Sequence, residues 1–335
     1  SGSCPSSVNN VFAVDVRNGN KLAEYTSVGT GWNELTTRPA IFRRPVSPFL
    51  DTAILGGTDG VLRAMRFIEP PPSNTNRNNT SEWAPTAFFD PAADKDKKNV
   101  NGQDTPIMTV LETPGAPPTY TLVPATTIVA TFPTPPAVPA TLPLPPGEVR
   151  PLYNRPRVGV VFDGSGNTGD YFVGTGDAVN PQAPIFQSNY FYALHDENRQ
   201  NNSGSNPDDG RPLWVIMMPN PYEQIVSEPA IINGAVIVAS YIPPPVGSQC
   251  TQSGDTVLYA FEPKTGVLTP ALTYPSGSYA GQTTSVVKMP NVGIPSDLLV
   301  VGDNLYLTTS SGGVMQTKVK PKRNAGDIRS FRRIR

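Results

Sequence analysis

The stretch Leu258-Tyr259-Ala260-Phe261-Glu262-Pro263-Lys264-Thr265-Gly266 decides the reading of this chain. An apolar run ends in a polar turn that closes on Gly, and further apolar sequence follows. The same pattern appears in Val11-Phe12-Ala13-Val14-Asp15-Val16-Arg17-Asn18-Gly19. Looser copies lie at Ala53 to Ala64, at Asp170 to Asp177 and at Leu298 to Leu307. A strand–turn–strand unit repeated along a chain predicts blades, and blades predict an all-β propeller, here of about five to seven blades. Such a scaffold carries its function in its loops.

The totals agree with many short strands. Of the 335 residues 39 are Pro and 29 are Gly, which break helices and shape turns. No segment sustains a helical period beyond about two turns. A net charge of −1 gives no electrostatic basis for nucleic acid as a partner. No apolar run reaches the roughly 20 residues of a membrane span.

The whole of 1–335 reads as one propeller domain with two unusual stretches. Residues 69–151 open with Pro70-Pro71-Pro72, pass through the charged, amide-rich run Asp90 to Asp104, and carry closely spaced prolines from Thr113 to Pro151. Proline lacks the donor a sheet ladder needs. The segment therefore reads as a Pro-rich insertion, extended and polyproline-like, with room for one edge strand or short hairpin around Thr126 to Ala130. Residues 318–335 carry eight basic residues against one acid, Asp327, and read as a tail lying back on the propeller. Elsewhere Asn233-Gly234, between two apolar runs, is the strongest hairpin signal, with Asn18-Gly19 and Gly56 to Gly60 beside it.

Candidate chemistry is sparse. His195 is the single histidine, so no His-rich metal site exists within the chain and any Ser-His-Asp triad would have to use it. It follows a strand and heads a polar loop, the setting of a strand-end histidine. The cluster Asp163 to Asp170 places oxygen side chains at Asp163, Ser165, Asn167 and Asp170. That spacing resembles the first half of a calcium loop, without its closing Glu; an Asn/Gly turn explains it equally well. The Asp-x-Ser-x-Ser metal site of von Willebrand factor A domains is a weaker match, because a strand follows here instead of a helix. Asp196, Glu197, Asp208 and Asp209 sit in a loop where solvated charge is the ordinary reading. Cys4 and Cys250 precede the two clearest repeats by seven or eight residues. They are disulfide candidates; two separate thiols, or a partner beyond this chain, are the alternatives.

Four strings, in order, resemble the C-terminal propeller of the PilY family of type IV pilus tip adhesins. They are Ile54 to Ala64; Tyr171 to Asp177 with Gln187 to Asp196; Ile237 to Pro243 with Cys250, Gly254 and Leu258 to Gly266; and Arg329 to Ile334. The resemblance spans the chain except the Pro-rich segment. It implies a non-enzymatic, exported protein at the pilus tip that primes assembly with minor pilins and contacts surfaces or host cells. It also implies a longer parent protein, since a von Willebrand-like half precedes this domain in many members. The family's calcium loop corresponds to Arg44 to Asp51, which holds one acid, so calcium control is not expected there. Two alternatives stand beside this reading. Quinone-cofactor dehydrogenases use similar Tyr-Ala-Leu-Asp-x-x-Thr-Gly repeats, and an envelope scaffold would need no chemistry at all.

Overall fold

The computed structural model describes residues 10–14, 18–26, 35–42, 52–66, 85–92, 99, 102–127, 140–142, 144, 150–161, 168–177, 180–181, 187–196, 210–245, 253–320 and 328–330. Apart from one short 3-10 turn, Ala125–Thr127, their regular structure is all strand.

The strands gather into sheets in chain order. β1 (Asn10–Val14) and β2 (Lys21–Thr26) form a hairpin. β3 (Ala40–Phe42), β4 (Thr52–Gly56), β5 (Leu62–Arg66) and β6 (Thr86–Phe89) form an antiparallel four-stranded sheet. β7 (Ile107–Thr113) and β8 (Thr119–Pro124) form a hairpin on the edge of a larger sheet. That sheet is built from β9 (Arg157–Val161), β10 (Thr168–Gly174), β11 (Tyr190–Asp196) and β12 (Arg211–Met217). The next sheet holds β13 (Gln224–Ile225), β14 (Ala230–Ile232), β15 (Ala235–Ile242), β16 (Asp255–Phe261) and β19 (Val286–Met289). A small ribbon, β17 (Leu272–Thr273) with β18 (Thr283–Thr284), leads to the last sheet. This contains β20 (Leu299–Val301), β21 (Asn304–Thr308) and β22 (Val314–Lys318). Finally β23 (Ile328–Ser330) returns to pair with β9.

Strand alternation explains how these sheets pack. Successive side chains point to opposite faces, and in the middle sheets both faces are apolar. Tyr171 and Val173 of β10 join Ile54, Leu62 and Phe88 of the second sheet in one core. Between them, Phe172 turns to the other face and joins Phe191, Trp214, Val236, Val238 and Phe261 in the core shared with the fourth sheet. Ile237, Leu258 and Ala260 then face Leu305, Leu307 and Met315 of the last sheet. At the start, Ala53, Leu55 and Met65 pack with Val11 and Tyr25 of the first hairpin. Each inner sheet is thus covered on both faces by its neighbours in sequence. A two-layer sandwich would cover each sheet on one face only; successive face-to-face stacking is the order of a propeller.

The turns follow their residues. Asn233 (φ 51°) and Gly234 (φ 78°) both take left-handed backbone, as the two-residue turn between β14 and β15 requires. The turn at Asp59 is fixed by its carboxylate, which accepts from Val61 N–H at 3.1 Å and pairs with Arg63.

The Pro-rich segment departs from its reading where it forms strands, and β6 already belongs to the second sheet. Residues 107–124 form a hairpin, not a polyproline run, and β7 lies parallel to β12. The reason is proline placement: Pro117 and Pro118 precede β8 and Pro124 ends it, so the ladder between keeps its donors. Where an edge strand or short hairpin was expected around Thr126 to Ala130, Ala125–Thr127 form the 3-10 turn, and residues 128–130 lie outside the described residues. Leu142, Leu144 and Leu152 are buried in the core of the second and third sheets. Of the basic tail, Val319 bridges to Leu272, and β23 pairs with β9 through the main chain.

Candidate functional site

Three of the proposed metal ligands, Asp163, Ser165 and Asn167, lie outside the described residues, as do Cys4, Cys250, Glu197, Asp208 and Asp209. The fourth ligand candidate, Asp170, is placed. It sits on β10 opposite His195 of β11. Its carboxylate Oδ1 lies 2.7 Å from His195 Nδ1, with Asp170 almost fully buried and His195 largely so. Cross-strand pairing therefore explains why the single histidine ends a strand: it partners an acid directly across the ladder. Among the described residues no three His, Cys, Asp or Glu side chains converge on a metal position. The pair ties β10 to β11 across the ladder.

A second polar constellation escaped the sequence reading. It lies where the third sheet meets the fourth. Gly174-Thr175-Gly176 leaves β10 so close to β13 that a Cβ on Gly174 would come within 2.3 Å of Ile225. Thr175 Oγ1 donates to Asn189 Oδ1 at 3.0 Å and accepts from Tyr190 N–H at 2.8 Å. Asn189 Nδ2 donates to the Glu223 carbonyl at 2.9 Å, and Asn154 Nδ2 to the Ile225 carbonyl at 2.7 Å. The Glu223 side chain is completely buried. Its Oε1 accepts from Tyr259 Oη at 2.8 Å and from Ser240 Oγ. Burial pushes the Glu223 carboxyl above the usual carboxylate range, and these hydrogen bonds partly oppose it. Burial, with Glu223 alongside, drives the Tyr259 phenol well above its ordinary value. Nothing in Pro221-Tyr222-Glu223-Gln224 announces a buried acid, because its partners come from strands 17 and 36 residues away. The Gly-Thr-Gly string was a visible signal, and its role is sheet-to-sheet contact.

The repeat unit itself acts as a clamp. Trp214 of β12 donates Nε1–H to the Pro263 carbonyl at 2.8 Å. Gly266 (φ 69°) lies against the same indole, where a Cβ would approach Trp214 Cγ to 2.7 Å. Thr265 Oγ1 donates to Glu262 at 2.5 Å, and Gly266 N–H to the Glu262 carbonyl at 2.9 Å. The Glu-Pro-Lys-Thr-Gly turn is thus a shaped lid that docks one sheet on the tryptophan of the sheet before it.

No known family model and no curated protein matches this chain. Its structure is similar to solved ones. The C-terminal domain of Pseudomonas aeruginosa PilY1 matches over 93% of this chain and 67% of that one, at 14% identity and a TM-score of 0.52. BamB from Moraxella catarrhalis matches over 92% and 78% at 12% identity, with a TM-score of 0.26. The Nup133 β-propeller domain of Vanderwaltozyma polyspora matches over 91% and 76% at 8% identity, with a TM-score of 0.25. At those last two scores no common arrangement of sheets is implied. The stacked, all-β architecture and the PilY1 match lead to one conclusion: this chain has a β-propeller fold similar to that of the PilY1 C-terminal domain.

Proposed function

We propose that this chain is a non-enzymatic propeller module of a type IV pilus tip protein, exported to the cell surface, where it engages minor pilins and contacts a surface or host ligand. One observation carries the reading: a likeness to the PilY1 C-terminal domain that runs through 93% of the chain. The four family-like strings, quoted above from the sequence alone, support it. Two of the four fall at the sheet junctions just described, one in Gly174-Thr175-Gly176 and one in the Glu262 to Gly266 clamp. A blade-docking role suits a scaffold whose work lies in its loops.

Retention of purified minor pilins from the same bacterium on the immobilised chain tests the proposal. Binding of at least one of them, with none to an unrelated propeller, is the expected result. Failure of every minor pilin to bind overturns the pilus reading. Adding pyrroloquinoline quinone and calcium, with alcohol or sugar substrates, is expected to give no dye reduction; turnover would make the chain an enzyme instead.

A further inference from the structure

A groove of about 930 Å³ opens between the last two sheets. Its walls are β19 and β22, which end the ladders of their sheets, and the β17–β18 ribbon. The ribbon already meets the end of β22: Val319 bridges Leu272, Lys320 N–H donates to the Ala271 carbonyl, and Thr317 Oγ1 donates to the Thr273 carbonyl at 2.6 Å. The open stretch of that edge is therefore Val314 to Gln316. Both faces of β22 line the same groove: Met315 and Thr317 point inward to the protein, while Val314, Gln316 and Lys318 are exposed. Only the edge of a strand can present both faces to one space.

The ladder shows which main-chain groups are offered there. Thr309 N–H bonds to the Gly313 carbonyl and Val319 N–H to the Asp303 carbonyl. Antiparallel bonding alternates between these points, so Leu307–Met315 and Leu305–Thr317 are the bonded pairs. The N–H and C=O of Val314 and Gln316 therefore turn away from β21, towards the groove. On the opposite wall the same count from Ala260 N–H to the Ser285 carbonyl turns Val286 and Lys288 outward. Thr284 takes both main-chain groups of Val286, so Lys288 remains. Val314 is 73% exposed, an unusual state for a β-branched residue on a strand edge. The lining holds two lysines, Lys288 and Lys318, and no carboxylate. Lys288 lies 3.7 Å from Asp255, which is outside the lining.

We propose that this groove is a docking site for an extended, acidic peptide segment of a partner protein, which adds to β22 as a further strand. The main chain of Val314 and Gln316 supplies the pairing, Val314 an apolar contact, and Lys288 and Lys318 the attraction for carboxylates. This inference rests on the groove alone and stands or falls independently of the pilus reading.

The test uses the whole chain and fluorescence polarisation. The probe is a short labelled peptide of alternating Val and Thr carrying two Asp; its comparator carries Lys at those positions. Saturable binding of the Asp peptide, about tenfold tighter than the Lys peptide, is expected. Val314→Pro removes an N–H that β21 does not use, so the melting temperature holds while binding is lost. Lys288→Glu with Lys318→Glu reverses the preference between the two peptides. If neither peptide binds, or both bind equally, the lysines merely guard an edge strand and the proposal fails. Binding unchanged by both Val314→Pro and the charge reversal also overturns it.

Discussion

Glu223 couples the fold to pH. Its carboxyl is held above the ordinary range because burial penalises the charged form. The folded state therefore binds this proton more tightly than the unfolded chain does. Stability contributed by the protonated form is fully present below the ordinary value of 4.5 and is lost as pH rises towards the raised value. Glu223→Gln removes that loss while keeping an acceptor for Tyr259 and Ser240. The melting temperature of the wild type is expected to fall relative to Glu223→Gln as pH rises above the ordinary value of 4.5; parallel curves would refute the assignment. The Asp170–His195 pair makes a different prediction. His195→Ala leaves a buried acid without this partner and is expected to cost about 1–3 kcal/mol in chemical denaturation at neutral pH. Neither residue's environment was readable beforehand. His195 was placed at its strand end by the apolar run before it, but its partner comes from pairing between strands, which single-residue patterns do not encode.

Among elements, the docking turn and the Pro-rich segment carry the clearest consequences. Gly266→Ala places a Cβ against the Trp214 ring in left-handed backbone, and about 1–3 kcal/mol of destabilisation is expected. Trp214 centres the aromatic group of that core: its ring lies 5.5 Å from Phe191, edge to face, and 5.7 Å from Phe261. Removal of residues 69–151 is expected to lower the melting temperature sharply, because it takes Phe88, Phe89, Ile107 and Leu144 out of a core shared by two sheets. An unchanged melting temperature would show that these strands contribute nothing. The turns were legible because chemistry is local there: Asn233-Gly234 fits left-handed backbone at both positions, and few other pairs do. The β7–β8 hairpin was not, because prolines mask it in composition while standing at its ends. Its parallel partner, β12, lies about a hundred residues on, a pairing that no local pattern announces.

For the whole molecule, the repeat was the informative signal. Apolar runs such as Tyr171 to Val173 and Ala235 to Tyr241 are buried at every position, the mark of strands covered on both faces. That continuous burial is what a stack of sheets requires. The order of the stack was implied by repetition, yet the faces that meet were fixed only by register. The groove between the last two sheets, and any partner that uses it, belong to this scale as well. Methyl-to-methyl nuclear Overhauser contacts in Ile, Leu and Val labelled protein test the stacking most directly. The account predicts contacts linking Ile54 with Val173, Ile216 with Val236 or Val238, and Leu258 with Leu305 or Leu307, each joining sheets adjacent in sequence. Contacts that skip a sheet, joining the second directly to the last across one flat core, would contradict it.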